Sequence, residues 1–158
     1  MKKQSIPVTS RKTAFLIMAL FVLSACGGIL IPGDQIMAEE HINLGIAYER
    51  SKELEEALKE YMIAARQLPI AYFYMGNIYF QKDAVDDAEK CYKKAIKRTK
   101  DPRAYNNLAW LYYSEGMKLD EAEKLAGKAV ELSPDAQDYK DTLEKIVEKR
   151  LEIQRRGI

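Results

Sequence analysis

From about Ala38 to the end of the chain, apolar residues recur at spacings of three and four, the pattern of amphipathic helices. The pattern therefore predicts an all-α fold. The start of the chain differs. Residues 13–23, TAFLIMALFVL, are continuously apolar without periodicity. Residues 27–36, GGILIPGDQI, hold three of the eight Gly together with Pro32, so residues 26–37 are expected to form a short linker.

The helical part is self-similar. Leu44-Gly45, Met75-Gly76 and Leu108-Ala109 align at offsets of 31 and 33 residues. His41, Tyr72 and Tyr105 stand three residues before the Leu or Met, and Tyr48, Tyr79 and Tyr112 three after the Gly or Ala. A second helix then carries Ala57, Tyr61 and Ala64, next Ala88, Tyr92 and Ala95, and last Ala122, Ala126 and Ala129. Small residues at such positions let two helices approach closely. The expected contacts are Gly45 with Ala57, Gly76 with Ala88 and Ala109 with Ala122.

This pattern resembles the tetratricopeptide repeat, whose unit of about 34 residues runs aromatic-x2-Leu-Gly-x2-Tyr, then Ala-x3-aromatic, then Pro. Pro69 and Pro134 each follow their Ala by twelve residues, as the pattern asks. The resemblance implies an antiparallel helix-hairpin solenoid of three repeats, 38–68, 69–100 and 101–134, followed by a capping helix at 135–158. Departures are His41 in an aromatic slot, a connection between repeats one and two about three residues short, a longer third hairpin turn, and Ala126 in place of the second-helix aromatic. Beyond Pro134, Leu143 keeps the Leu slot but Glu144 replaces Gly, and Lys145, Lys149, Arg150, Arg155 and Arg156 crowd the outer side. A stacked array ends in such a solvating helix.

Charge alters the picture only at the beginning. Lys2, Lys3, Arg11 and Lys12 precede the apolar run and no acid stands among residues 1–25; the remainder carries 21 basic and 24 acidic side chains. That mildly acidic body argues against nucleic acid as a partner, which needs a dense cationic face. Basic residues, an apolar run and small residues form the layout of an export signal, 1–25. Leu23-Ser24-Ala25-Cys26 resembles the lipobox of bacterial lipoproteins, which implies cleavage before Cys26 and a covalent lipid on it. Each buried acyl CH₂ contributes roughly 0.8 kcal/mol, so two or three chains anchor a domain durably. The other reading is an uncleaved anchor, since residues 13–31 are uncharged and close to the ~20 needed to cross a bilayer. Gly27 after the Cys implies, by the same resemblance, the periplasmic face of the outer membrane, or the cell-membrane surface in a source with one membrane.

Equipment for catalysis is sparse. The chain has one His and two Cys, no His/Cys cluster at metal-ligand spacing, no Gly-rich phosphate loop, and no Ser or Cys with an evident base. No enzyme, no metal and no cofactor other than the lipid on Cys26 is expected. Cys91 reads as a buried small hydrophobe.

In the repeat family, side chains one, five and eight residues after the aromatic slot line a concave groove. Carried onto this chain, they are Ile42, Ile46 and Glu49, then Phe73, Asn77 and Phe80, then Asn106, Trp110 and Tyr113. The groove type that grips a peptide C-terminus with Lys and Arg is matched at Asn77 but not at Ile42 or Phe73. Rings and amides suit a peptide, although Phe73, Phe80 and Trp110 could instead complete a small core. The function expected is a protein-interaction adaptor or assembly factor of the bacterial envelope, pilotin-like or scaffolding. The partners are then another envelope protein or peptide segment and, through the acylated N-terminus, the bilayer. The alternatives are a self-associating lipoprotein, with this face as a homo-oligomer contact, and an accessory subunit of an envelope peptidase or cell-wall enzyme.

Overall fold

The computed structural model describes residues 32–157. The export signal, the lipid site at Cys26 and the apolar segment 13–31 lie outside the described residues. Within them the chain forms seven helices and no strand: α1 (Pro32–Arg50), α2 (Leu54–Ala64), α3 (Ala71–Gln81), α4 (Val85–Thr99), α5 (Pro102–Ser114), α6 (Leu119–Leu132) and α7 (Gln137–Arg156). Helices α1 with α2, α3 with α4 and α5 with α6 pair as hairpins, and each hairpin from the second on packs against the one before. The sequence is therefore arranged as an all-α hairpin solenoid closed by α7.

Helix α1 starts at Pro32, inside the stretch 26–37 read from sequence as linker. Proline at a first helical position has its φ preset and no N–H to leave unpaired. The linker composition is also a helix-start composition. The short connection after the first repeat is taken up in α2, which has 11 residues against 15 in α4.

The three hairpin turns share one backbone design. The N–H of Lys52 donates to the Glu49 carbonyl at 3.0 Å and that of Glu53 to Tyr48 at 2.9 Å; Asp83 and Ala84 repeat this onto Phe80 and Tyr79, and Gly116 and Met117 onto Tyr113 and Tyr112. These paired bonds satisfy the carbonyls a helix leaves free at its C-terminus. They require a left-handed residue, which is Lys52 (φ 65°), Asp83 (φ 58°) and Gly116 (φ 65°). Only the third turn spends a glycine on it. At the start of α5, Asp101 accepts from the Arg103 N–H at 2.9 Å and Pro102 takes the first helical position, a complete N-terminal cap.

The close approach within a hairpin has a different partner from the one expected. A Cβ on Gly76 would lie 2.6 Å from the Tyr92 ring, and one on Gly45 would run into the ring of Tyr61. A fully buried tyrosine ring is the nearest group to each of these glycines, so the glycine leaves the room that the ring fills. In the third repeat Ala126 stands at the tyrosine position and Ala109 at the glycine position, and both are fully buried. Gly with Tyr and Ala with Ala are two solutions to one volume.

Two apolar clusters run across hairpin boundaries. One joins Ile42, Ala57, Tyr61, Met75, Ile78 and Cys91. The other joins Phe73, Tyr92, Leu108, Leu111, Tyr112 and Ile146. Helix α7 closes the second with Tyr139, Thr142 and Ile146 buried, and Arg150 Nε lies 2.6 Å from Glu123 Oε2. At the opposite end no hairpin lies outside α1 among the described residues, and Met37 and Leu44 are 57% and 42% exposed.

Candidate functional site

Stacking hairpins sets α1, α3 and α5 side by side, and the residues on their shared face enclose two adjoining depressions. Both are lined by Glu49, Asn77 and Gln81. The outer one, of about 410 Å³, adds Ile46, Arg50, Lys52 and Tyr74. The inner one, of about 270 Å³, adds Phe80, Tyr92, Asn107 and Trp110. Of the residues expected in a groove, the structure thus brings together Ile46, Glu49, Asn77, Phe80 and Trp110.

Their polar atoms are held from beneath. Burial raises the Tyr61 and Tyr92 phenols above their ordinary range, so both stay protonated donors. Tyr61 donates to Glu49 Oε2 at 3.0 Å, and Gln81 Nε2 donates to Glu49 Oε1 at 2.7 Å. Tyr92 and the Asn107 amide both donate to Asn77 Oδ1 at 2.9 Å. The rings that fill the space opposite Gly45 and Gly76 therefore also aim the carboxylate and the amide, and fold and site share these residues. A network with its members satisfied this way is rigid.

Four expected residues stand elsewhere. Ile42 and Phe73 are 8% and 7% exposed and belong to the two apolar clusters, because the position one residue after the aromatic slot is covered by the neighbouring repeat. Phe73 packs edge-on to Tyr74 with ring centroids 5.3 Å apart and lies under the Arg103 guanidinium at 4.7 Å. Asn106 buries its carbonyl oxygen without a partner and lines neither depression. Tyr113 is tilted against Trp110 at 5.1 Å, and its other neighbour is α7: Lys149 sits 4.6 Å above its ring and donates to its carbonyl at 2.7 Å. Lys145 of α7 lies 5.4 Å from the Trp110 ring centroid, which leaves Trp110 on the rim of the inner depression.

Sequence reasoning missed Tyr74, Gln81 and Asn107. Asn107 adjoins the expected Asn106 and was the polar neighbour to weigh; Gln81 has no signal short of knowing that α1 faces α3. Away from this face, His41 Nδ1 is 2.5 Å from Glu60 Oε2, and Cys91 is buried with its thiol pushed up to about 11 by that burial. Among the described residues no three metal-ligating side chains come together, and no helix is long and apolar enough to cross a membrane.

Two family models, each described as Tetratricopeptide repeat, match this chain at residues 69–98 and 102–136. Each of these two stretches is a tetratricopeptide repeat. The matched stretches hold α3 with α4 and α5 with α6, and α1 with α2 repeats their Gly–Tyr contact and their turn. Among solved structures, the first tetratricopeptide domain of human RPAP3 is similar at TM-score 0.68 and 22% identity, over 77% of this chain and 98% of that one. The tetratricopeptide domain of Sgt2 from Aspergillus fumigatus is similar at TM-score 0.67 and 19% identity, over 76% and 82%. The first such domain of Spaghetti (RPAP3), similar at TM-score 0.67 and 23% identity over 77% and 97%, is bound to the HSP90 peptide SRMEEVD. At these identities the likeness establishes the fold. No curated protein matches the chain in sequence.

Proposed function

We propose that this chain is an exported bacterial lipoprotein, held on the membrane by acyl chains on Cys26, whose repeats act as an adaptor for another envelope protein. The groove along α1, α3 and α5 captures a segment of that protein and keeps it at the bilayer surface. Leu23-Ser24-Ala25-Cys26 after a basic and apolar leader supports the anchor, and Gly27 supports the periplasmic face of the outer membrane.

The observation that carries the reading is the pair of joined depressions, walled by Phe80, Tyr74 and Trp110 and floored by Glu49 and Asn77 already oriented by buried tyrosines. Rigid rings beside preset acceptors suit an extended or helical peptide. A structural neighbour, the Spaghetti domain, holds a peptide.

The test is cross-linking and affinity purification of the full chain from membranes. Phe80→Ala with Trp110→Ala is expected to lose the co-purifying protein while keeping the helical circular dichroism, since both residues are only partly buried. Phe73 is left intact because its replacement would open the core. In the same cells Cys26→Ser is expected to lose palmitate labelling and leave the membrane fraction. A partner retained by the folded double variant overturns the groove; a lipid-free Cys26 in the wild type overturns the anchor.

A further inference from the structure

Six carboxylates among the described residues are partly buried: Glu49, Glu56, Glu60, Glu89, Asp101 and Glu123. Five of them have a basic partner. Glu56 pairs with Lys59, Glu60 with His41, Glu89 with Lys93 and Lys118, Asp101 with Arg103, and Glu123 with Arg150. Glu49 is the exception: among the described residues no Lys, Arg or His stands in ion-pair contact with it. Its two oxygens each accept one hydrogen bond, from Tyr61 and from Gln81, and a carboxylate has about four acceptor sites. A half-desolvated charge left without a counter-charge is costly in a folded protein, and this one sits where the two depressions meet.

The geometry points to a basic side chain of the partner as the missing counter-charge: the groove takes an internal peptide segment bearing an Arg or Lys beside an apolar residue. The inference rests on the adaptor reading above and names the chemistry of its ligand. Glu49 is the one charged side chain lining the inner depression among the described residues, while Arg50 and Lys52 line only the outer one. A guanidinium entering the inner depression meets one free acceptor site on each Glu49 oxygen, the arrangement that planar N–H pairs favour. Phe80 and Trp110 supply apolar and π surface for its stem or for the neighbouring side chain. This chain already lays cations over rings at Arg103 on Phe73 and Lys118 on Tyr112. A peptide C-terminus is disfavoured, since its carboxylate would meet that of Glu49.

The test uses the full chain in detergent and a library of random peptides displayed with both ends fused, so that no free terminus is offered. Selected peptides are expected to share an Arg or Lys next to an apolar residue. For the tightest Arg-bearing peptide, synthesised with blocked ends, replacing Arg by the neutral isostere citrulline is expected to weaken binding about tenfold in calorimetry, the loss of one charge-assisted contact. In Glu49→Gln, which keeps an oxygen for Tyr61 and removes the unpaired charge, the two peptides are expected to bind alike, with a melting temperature no lower than that of the wild type. Selected peptides without a basic residue, or a citrulline effect of the same size in Glu49→Gln, overturn the inference and leave the groove standing. Peptides that bind Phe80→Ala with Trp110→Ala as well as they bind the wild type overturn the groove itself.

Discussion

A single carboxylate on α4 ties three elements together. Glu89 Oε1 accepts from Lys93 on its own helix at 2.7 Å, from Tyr112 on α5 at 2.9 Å, and from Lys118 at the head of α6 at 2.8 Å. Burial alone would raise its pKa, but the hydrogen bonds from Lys118, Lys93 and Tyr112 override that and hold it at about 2. A carboxyl depressed in the folded state stabilises the fold above its ordinary value, 4.5, and loses that contribution as pH falls through the folded value. Wild type is therefore expected to lose melting temperature steeply between pH 4.5 and 2. Glu89→Gln should melt lower at pH 7 and show a shallower fall in that window. None of this was legible in the sequence, where Tyr112 and Lys118 lie 23 and 29 residues away. The site was legible in the same uneven way. Family spacing alone puts Glu49, Asn77 and Trp110 on the face that lines the depressions, because position on one helix decides that. The burial of Ile42 and Phe73 and the place of Gln81 and Asn107 in the lining are decided by contact between repeats, which spacing does not carry.

Helices meet where one side chain yields volume to another, and Gly76 with Tyr92 is the pair most open to trial. Gly76→Ala is expected to destabilise by about 1–3 kcal/mol, since the added methyl overpacks a rigid ring. In a Tyr92→Ala background the sign should reverse: the ring is gone, and alanine is the better helix former by about 1 kcal/mol. Denaturant midpoints of the four proteins in this cycle measure both effects, and equal costs in the two backgrounds would dissolve the pairing. The third repeat is the natural precedent, with Ala109 at the glycine position and Ala126 at the tyrosine position. The number and order of helices after Ala38 were readable because three copies of one pattern reinforce each other. The start of α1 was not, because Gly33 and Pro32 read as a break whether they end a linker or open a helix. Nor were the turns, where Lys52 and Asp83 hold a backbone shape that composition assigns to glycine.

In a stack of hairpins each layer covers the one before, so the ends differ from the middle and from each other. Helix α7 seals one end with Ile146 fully buried, while Met37 and Leu44 stay open at the other. Local opening follows buried apolar contact. Amide exchange on the full chain in detergent is therefore expected to be fastest in α1 and α2 and slowest in α3 to α5. Protection of α1 equal to that of α5 would mean that something covers Met37 and Leu44. The capping role of α7 was visible in its run of charges, but its grip on Tyr113 and Trp110 through Lys149 and Lys145 was not.

The chain has ten tyrosines but one tryptophan, and it stands on the rim of the inner depression. Light absorbed at the red edge of the aromatic band excites that indole alone. Whatever settles against it, or lifts Lys145 away, alters its emission, so the molecule carries an unlabelled optical gauge of whether its groove is empty or filled.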